Sequence, residues 1–108
     1  MCGIAGLFGY LKTAQPVDRN SLDRMTRAMI SRGPDGDGTW ISRENGVGLG
    51  HRRLSIIDLS PGGQQPMIRG DHVLSYNGEI YNYRSVGDAL RQAGVDLSTR
   101  SDSEVLLQ

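Results

Sequence analysis

One cysteine among 108 residues rules out an internal disulfide framework and a zinc site built on cysteines. The two histidines, His51 and His72, are too few and too far apart for a convincing metal cluster. Twelve basic and twelve acidic side chains cancel, so no net field points the chain toward nucleic acid or an anionic membrane. No run approaches the roughly 20 apolar residues of a membrane span, and no charged leader precedes an apolar run at the N-terminus. The expectation is a soluble cytoplasmic protein of one domain, with 37% hydrophobic residues enough for a modest core. There is no internal repeat, low-complexity tract or linker.

Glycine, by contrast, is plentiful. Fifteen glycines stand in short bursts between apolar pieces, a pattern of many turns and close backbone approaches rather than long helices. The stretch Met1-Cys2-Gly3-Ile4-Ala5-Gly6-Leu7-Phe8-Gly9 places the lone cysteine directly behind the initiator methionine. Removing Met1 would leave a thiol and a free α-amino group on one residue, a nucleophile with a base attached. An α-amino group titrates at about 7.7–8.0, close enough to neutrality to take a thiol proton and pass it to a leaving amine. Cysteine suits the role because it is intrinsically nucleophilic. A lone cysteine is more often a small buried hydrophobe, but residues 2–9 are small or apolar throughout and read as a buried strand rather than a frayed end.

Further along, Asp18 predicts a helix cap, with the helix running to about Ser31 and Leu22, Met25 and Met29 forming its apolar stripe. Residues 32–38 are turn chemistry, leading to a strand at 39–42. Asn45-Gly46 predicts a hairpin, so that residues 47–53 return antiparallel. Residues 54–58 continue as an apolar, partly extended segment, and 60–63 turn the chain. Residues 67–69 and 73–76 flank Gly70-Asp71 as a second hairpin. Asn82 predicts the cap of a helix to about Ala93, with Val86 and Leu90 facing inward and Gly94 stopping it. Ser101-Asp102-Ser103-Glu104 reads as a capping box opening a last helix.

A thiol that attacks an amide carbonyl creates an oxyanion, which needs donors fixed in advance. Asn77-Gly78 offers a side-chain amide and an unshielded backbone N–H, although the same pair is by pattern alone more often a hairpin turn. An amino-acid substrate also needs a cation for its carboxylate and an anion for its ammonium. Arg53 at a strand end can supply a bidentate fork, and Asp102 in the first turn of a helix can supply the carboxylate.

The blocks Met1-Cys2-Gly3-Ile4-Ala5-Gly6, Arg32-Gly33-Pro34-Asp35, His51-Arg52-Arg53-Leu54-Ser55-Ile56-Ile57-Asp58, Gln65-Pro66-Met67, Tyr76-Asn77-Gly78-Glu79-Ile80-Tyr81-Asn82-Tyr83 and Ser101-Asp102-Ser103-Glu104-Val105 resemble, in order and spacing, the glutaminase domain of glutamine-dependent asparagine synthetases. The resemblance covers the whole chain. It implies a class II glutamine amidotransferase of the N-terminal-nucleophile hydrolase type, an α+β fold whose antiparallel sheets form an α/β/β/α sandwich. Carried over by position, Cys2 is the nucleophile and its freed amino group the base, and Asn77 and Gly78 form the oxyanion hole. Arg53 binds the glutamine α-carboxylate, Leu54, Ser55, Ile56 and Ile57 line the pocket, and Glu79 with Asp102 contacts the α-amino group. The implied chemistry is glutamine hydrolysis to glutamate and ammonia through a γ-glutamyl thioester, with no metal.

Related amidotransferases of phosphoribosylamine and glucosamine-6-phosphate synthesis share the early Cys, an Asn-Gly and a Ser-Asp-x-Glu. They do not typically carry the runs Arg53–Asp58 and Gly78–Asn82, which favour the asparagine synthetase branch, itself including relatives with other acceptors. The family's glutaminase domain is nearly twice this length, so only the N-terminal part of the sandwich is expected in residues 1–108. ATP and Mg are implied for a separate synthetase domain, which supplies the implied partner alongside glutamine. Two alternatives stand beside this reading: an inactive or associating portion completed by a homodimer, and a related amidotransferase with another acceptor.

Overall fold

The computed structural model describes residues 1–56 and 60–108. Its elements, in chain order, are β1 (Gly3–Phe8), α1 (Arg19–Ala28), β2 (Gly36–Ile41), β3 (Val47–Arg53), a single 3-10 turn (Pro61–Gly63), β4 (Met67–Arg69), β5 (His72–Leu74), α2 (Tyr83–Gln92) and α3 (Asp102–Leu107). Strands β1, β3 and β2 form an antiparallel sheet in that order, and β4 and β5 form a separate antiparallel pair. The chain is thus mixed α and β with antiparallel sheets.

The register decides what each face of the larger sheet carries, because side chains alternate along a strand and directly opposed residues share a face. Ala5 pairs with Gly50 and Leu7 with Gly48, and this face is covered by α1. Asp18 caps α1 by accepting from the Asn20 and Ser21 amides at 3.3 and 2.9 Å. The inward line is Leu22, Thr26 and Met29 rather than Leu22, Met25 and Met29: Thr26 is 1% exposed and Met25 40%. The reason lies on β3, where Gly50 leaves a socket that the Thr26 hydroxyl enters, its own hydrogen bond satisfied by the Leu22 carbonyl at 2.9 Å. The helix ends at Ala28, three residues earlier than expected, in i to i−3 bonds from Met29 and Ile30.

The opposite face is open over much of its length. Ile4 is 43% exposed and Phe8 66%, so β1 is buried on one side only and not throughout as its composition suggested. Among the described residues the buried hydrophobic side chains are Ala5 and Leu22, and the radius of gyration, 15.0 Å, exceeds the about 13 Å expected of a compact chain this long.

Three further expectations are corrected. Strand β2 starts at Gly36, inside the stretch read as a turn, and the β2–β3 connection runs through residues 43–46, with Asn45 at φ 52° and the Ser42 hydroxyl accepting from the Gly46 and Val47 amides at 3.1 Å. In α2, Asn82 makes no side-chain cap bond and Val86 is exposed, while Gly87 is buried. At α3 neither bond of the capping box forms: Ser101 Oγ caps the helix by accepting from the Ser103 amide at 3.2 Å, one residue short of Glu104. Glu104 instead reaches beyond Ser101 to take the Ser98 and Thr99 amides at 2.8 and 2.6 Å and both hydroxyls at 2.9 and 2.6 Å. Burial alone would raise this carboxyl, but the bonds from Thr99 and Ser98 together hold it below the usual glutamate value.

Candidate active site

The β1–β3 register fixes the first contact of the site. One step beyond the Gly3–Arg52 pair, Cys2 lies across from Arg53, on the face away from α1. Its Sγ accepts from the Leu54 amide at 3.3 Å and lies 3.7 Å from the Leu54 carbonyl. Arg32 Nε donates to the Cys2 carbonyl at 3.2 Å, tying the N-terminal strand to the segment after α1.

Arg52 and Arg53 are neighbours with opposite duties. Arg52 points to the α1 side, where Nε donates to the Gly33 carbonyl at 2.8 Å and Nη1 pairs with Asp37 at 3.2 Å. Arg53 points to the Cys2 side, with Nη1 donating to the Ser60 carbonyl at 2.8 Å. Its guanidinium lies against Gly63, at a place a Cβ would occupy, so glycine there is what lets the fork sit flat on the turn.

The segment after β5 brings in the second group. Asn77 and Gly78 are not a hairpin turn, since α2 and not a strand follows them. Neither the Asn77 side-chain amide nor the Gly78 N–H has a hydrogen-bond partner among the described residues. Asp102 comes from the first turn of α3, buried, with Oδ2 accepting from the Ile80 amide at 3.1 Å. Glu79, exposed, stands between these two groups on the chain.

Cys2, Arg53, Leu54, Ile56, Asn77, Gly78, Glu79 and Asp102 all line one cavity of about 260 Å³. Met1 lines it too, at the mouth beside Cys2. Ser55 does not: its amide donates to Asp35 Oδ2 at 2.8 Å, which draws it away from the cavity. Ile57, also expected in the pocket, lies outside the described residues. Sequence reasoning placed none of Gly63, Gln65, Tyr76, Ser101 and Ser103 in the pocket, and they complete its lining among the described residues. The only signal for Gln65 was its place in the Gln65-Pro66-Met67 block.

Chemically the cavity gathers in one lining a thiol, two N–H donors without a partner among the described residues, a guanidinium and a carboxylate. That arrangement suits a zwitterionic amino acid whose side chain carries a carbonyl.

On the same sheet face as Arg53 lies His51, fully buried at 0% exposure, with Nδ1 3.1 Å from Ser75 Oγ and Nε2 without a partner among the described residues. Burial, aided by the Arg53 charge, pushes the imidazole down to about 4. The folded protein therefore binds this proton less readily than the unfolded chain. Stability from neutral His51 is fully present above about pH 6.5 and is lost as pH falls toward about 4, on the order of 3 kcal/mol in all. Urea midpoints measured between pH 7 and pH 4.5 should fall, and His51→Gln should flatten that slope; an unchanged slope in the variant would contradict the assignment.

The family described as glutamine amidotransferase domain matches residues 1–108. Asparagine synthetase [glutamine-hydrolyzing] 1 of Bacillus subtilis (strain 168) is 43% identical over 110 residues, covering 99% of this chain and 17% of that protein. Asparagine synthetase B [glutamine-hydrolyzing] of Escherichia coli (strain K12) is 38% identical over 113 residues, covering 99% and 19%. Amidase chry2 of Gibberella zeae is 56% identical over 55 residues, covering 48% of this chain and 8% of its own. The chain thus spans under a fifth of the length of these curated relatives.

Proposed function

Because this chain belongs to the glutamine amidotransferase domain family, we propose that its cavity hydrolyses glutamine with Cys2 as the nucleophile, and that the ammonia serves amidation of aspartate to asparagine in the whole protein. The observation that carries this is the meeting of Cys2, Arg53, Asn77, Gly78 and Asp102 around one cavity of about 260 Å³.

Arg53 takes the α-carboxylate, and Asp102 with Glu79 takes the α-ammonium, which aims the side-chain amide at Cys2. With Met1 removed, the Cys2 amino group accepts the thiol proton as Sγ bonds to the amide carbon. The carbonyl electron pair moves to oxygen, where the Asn77 side chain and the Gly78 N–H donate to it. Collapse breaks the carbon–nitrogen bond, and the amino group returns its proton so that ammonia leaves. Water then adds to the thioester, releasing glutamate and the free thiol.

The open face bearing Ile4 and Phe8 supports the sandwich expected from the family, with a second sheet packing there; residues 1–108 are on this reading its N-terminal part. On this reading ATP and Mg serve the synthetase segment of the whole protein. Among the described residues no helix is long and apolar enough to cross a membrane. The same open face favours, as a second reading, association with another copy of the chain. A related amidotransferase with an acceptor other than aspartate is a variant of the first reading.

Intact mass before and after treatment with a diazoketone analogue of glutamine tests the assignment. A chain lacking methionine that gains one adduct on Cys2, with glutamine protecting it, is the expected result. A processed chain that gains no adduct, or one that glutamine does not prevent, would sink it.

A further inference from the structure

The two halves of the cavity come from segments far apart in the chain, and one buried side chain touches both. Gln65 is 7% exposed. Its amide oxygen accepts from the Tyr76 N–H at 2.6 Å, and its amide nitrogen donates to Ser103 Oγ at 3.0 Å. Tyr76 is the residue before Asn77-Gly78, and Ser103 is the residue after Asp102. A planar amide of fixed length therefore spans the gap between the candidate oxyanion donors and the carboxylate for the substrate ammonium.

Gln65 is itself held from behind. Its backbone carbonyl packs on Gly38 of β2, in the place a Cβ would take, so the residue is seated against the larger sheet. On the far side, the Ser103 amide donates to Ser101 Oγ at 3.2 Å, and Ser101 N donates to Thr99 Oγ1 at 3.1 Å. The connection from sheet to helix is thus continuous: β2, Gln65, then both Tyr76 and the first turn of α3. A side chain with only one polar end could satisfy one of these partners but not couple them.

We propose that Gln65 is a positioning residue that sets the oxyanion donors Asn77 and Gly78 in register with Asp102. The inference rests on the glutaminase reading above. A misplacement of about 1 Å at groups that must contact a transition state costs roughly a hundredfold in rate, so a residue can control the reaction through the groups it holds.

The variants separate the two arms. Gln65→Leu in the full-length protein leaves the Tyr76 N–H without its acceptor and cuts the tie to α3. Its kcat/KM for glutamine should fall about a hundredfold, through both a lower kcat and a higher KM. Ser103→Ala cuts only the α3 arm, so KM should rise about fivefold to tenfold with kcat held within about twofold. The second variant carries the test should the first not fold. Labelling of Cys2 distinguishes positioning from general structure: iodoacetamide needs only an accessible thiol, whereas the diazoketone analogue needs the aligned cavity. In both variants iodoacetamide labelling should persist while analogue labelling slows in parallel with kcat/KM. Wild-type kcat and KM in both variants, or equal loss of both labelling reactions, overturns the proposal. Glutamine hydrolysis surviving in Cys2→Ala would instead remove the reading on which it rests.

Discussion

Cys2→Ala is expected to abolish glutamine hydrolysis, lowering kcat by roughly ten-thousandfold or more, while glutamine still binds. The split follows from the geometry. Arg53 and Asp102, which would hold the substrate's charged ends, lie on β3 and α3 and owe nothing to the thiol. Among the described residues the hydrogen bonds of Sγ go to the Leu54 backbone, so the substitution frees one part-buried amide and should leave the fold intact. The measurement is ammonia release at saturating glutamine, with binding followed by calorimetry. A variant that retains even a tenth of the activity would require another nucleophile, and this chain has no other cysteine. Synthesis from added ammonia, if the whole protein performs it, should persist, because that step bypasses the cavity.

Asn77→Ala should lower kcat for glutamine by about 100- to 1,000-fold with a smaller change in KM. An oxyanion donor acts on charge that exists fully only in the transition state, so its removal is felt in the chemical step more than in binding. The side chain meets no partner among the described residues, which means that the truncation leaves no orphan behind and does not confound catalysis with stability. Steady-state kinetics settles the matter: a rise in KM with kcat unchanged would place Asn77 in ground-state recognition instead. Gly78, the second proposed donor, would act through its backbone and is untouched by this substitution.

Much of the local structure was legible in the sequence because it depends on residues within one turn of each other. Asp18 caps α1 through its own neighbours, Gly70 turns the β4–β5 hairpin at φ 55°, and Gly94 follows the end of α2 at φ 87°. Each needs only a side-chain oxygen two or three residues from an amide, or a backbone without a Cβ. What failed was the choice of face. Met25 and Thr26 are equally plausible on a helical wheel, and Thr26 won because Gly50, from another strand, opens a socket opposite it. Val86 lost to Gly87 in the same way, where α2 and α3 come together. Glu104 matched a capping box and was taken by Ser98 and Thr99, whose backbone the loop before α3 turns toward it.

The sequence by itself determined which groups are available: Cys2 after Met1, the arginine Arg53, the pair Asn77-Gly78 and the aspartate Asp102. Their convergence was decided only in three dimensions. Strand register sends Arg53 toward Cys2 and Arg52 toward Gly33 and Asp37, and a shift of one residue would exchange them. Gln65 carries no catalytic signature of its own, yet it joins Tyr76, just after β5, to the first turn of α3. A hydrogen bond across 38 residues of chain is set by where the backbone returns, and that is fixed by the packing of every element between.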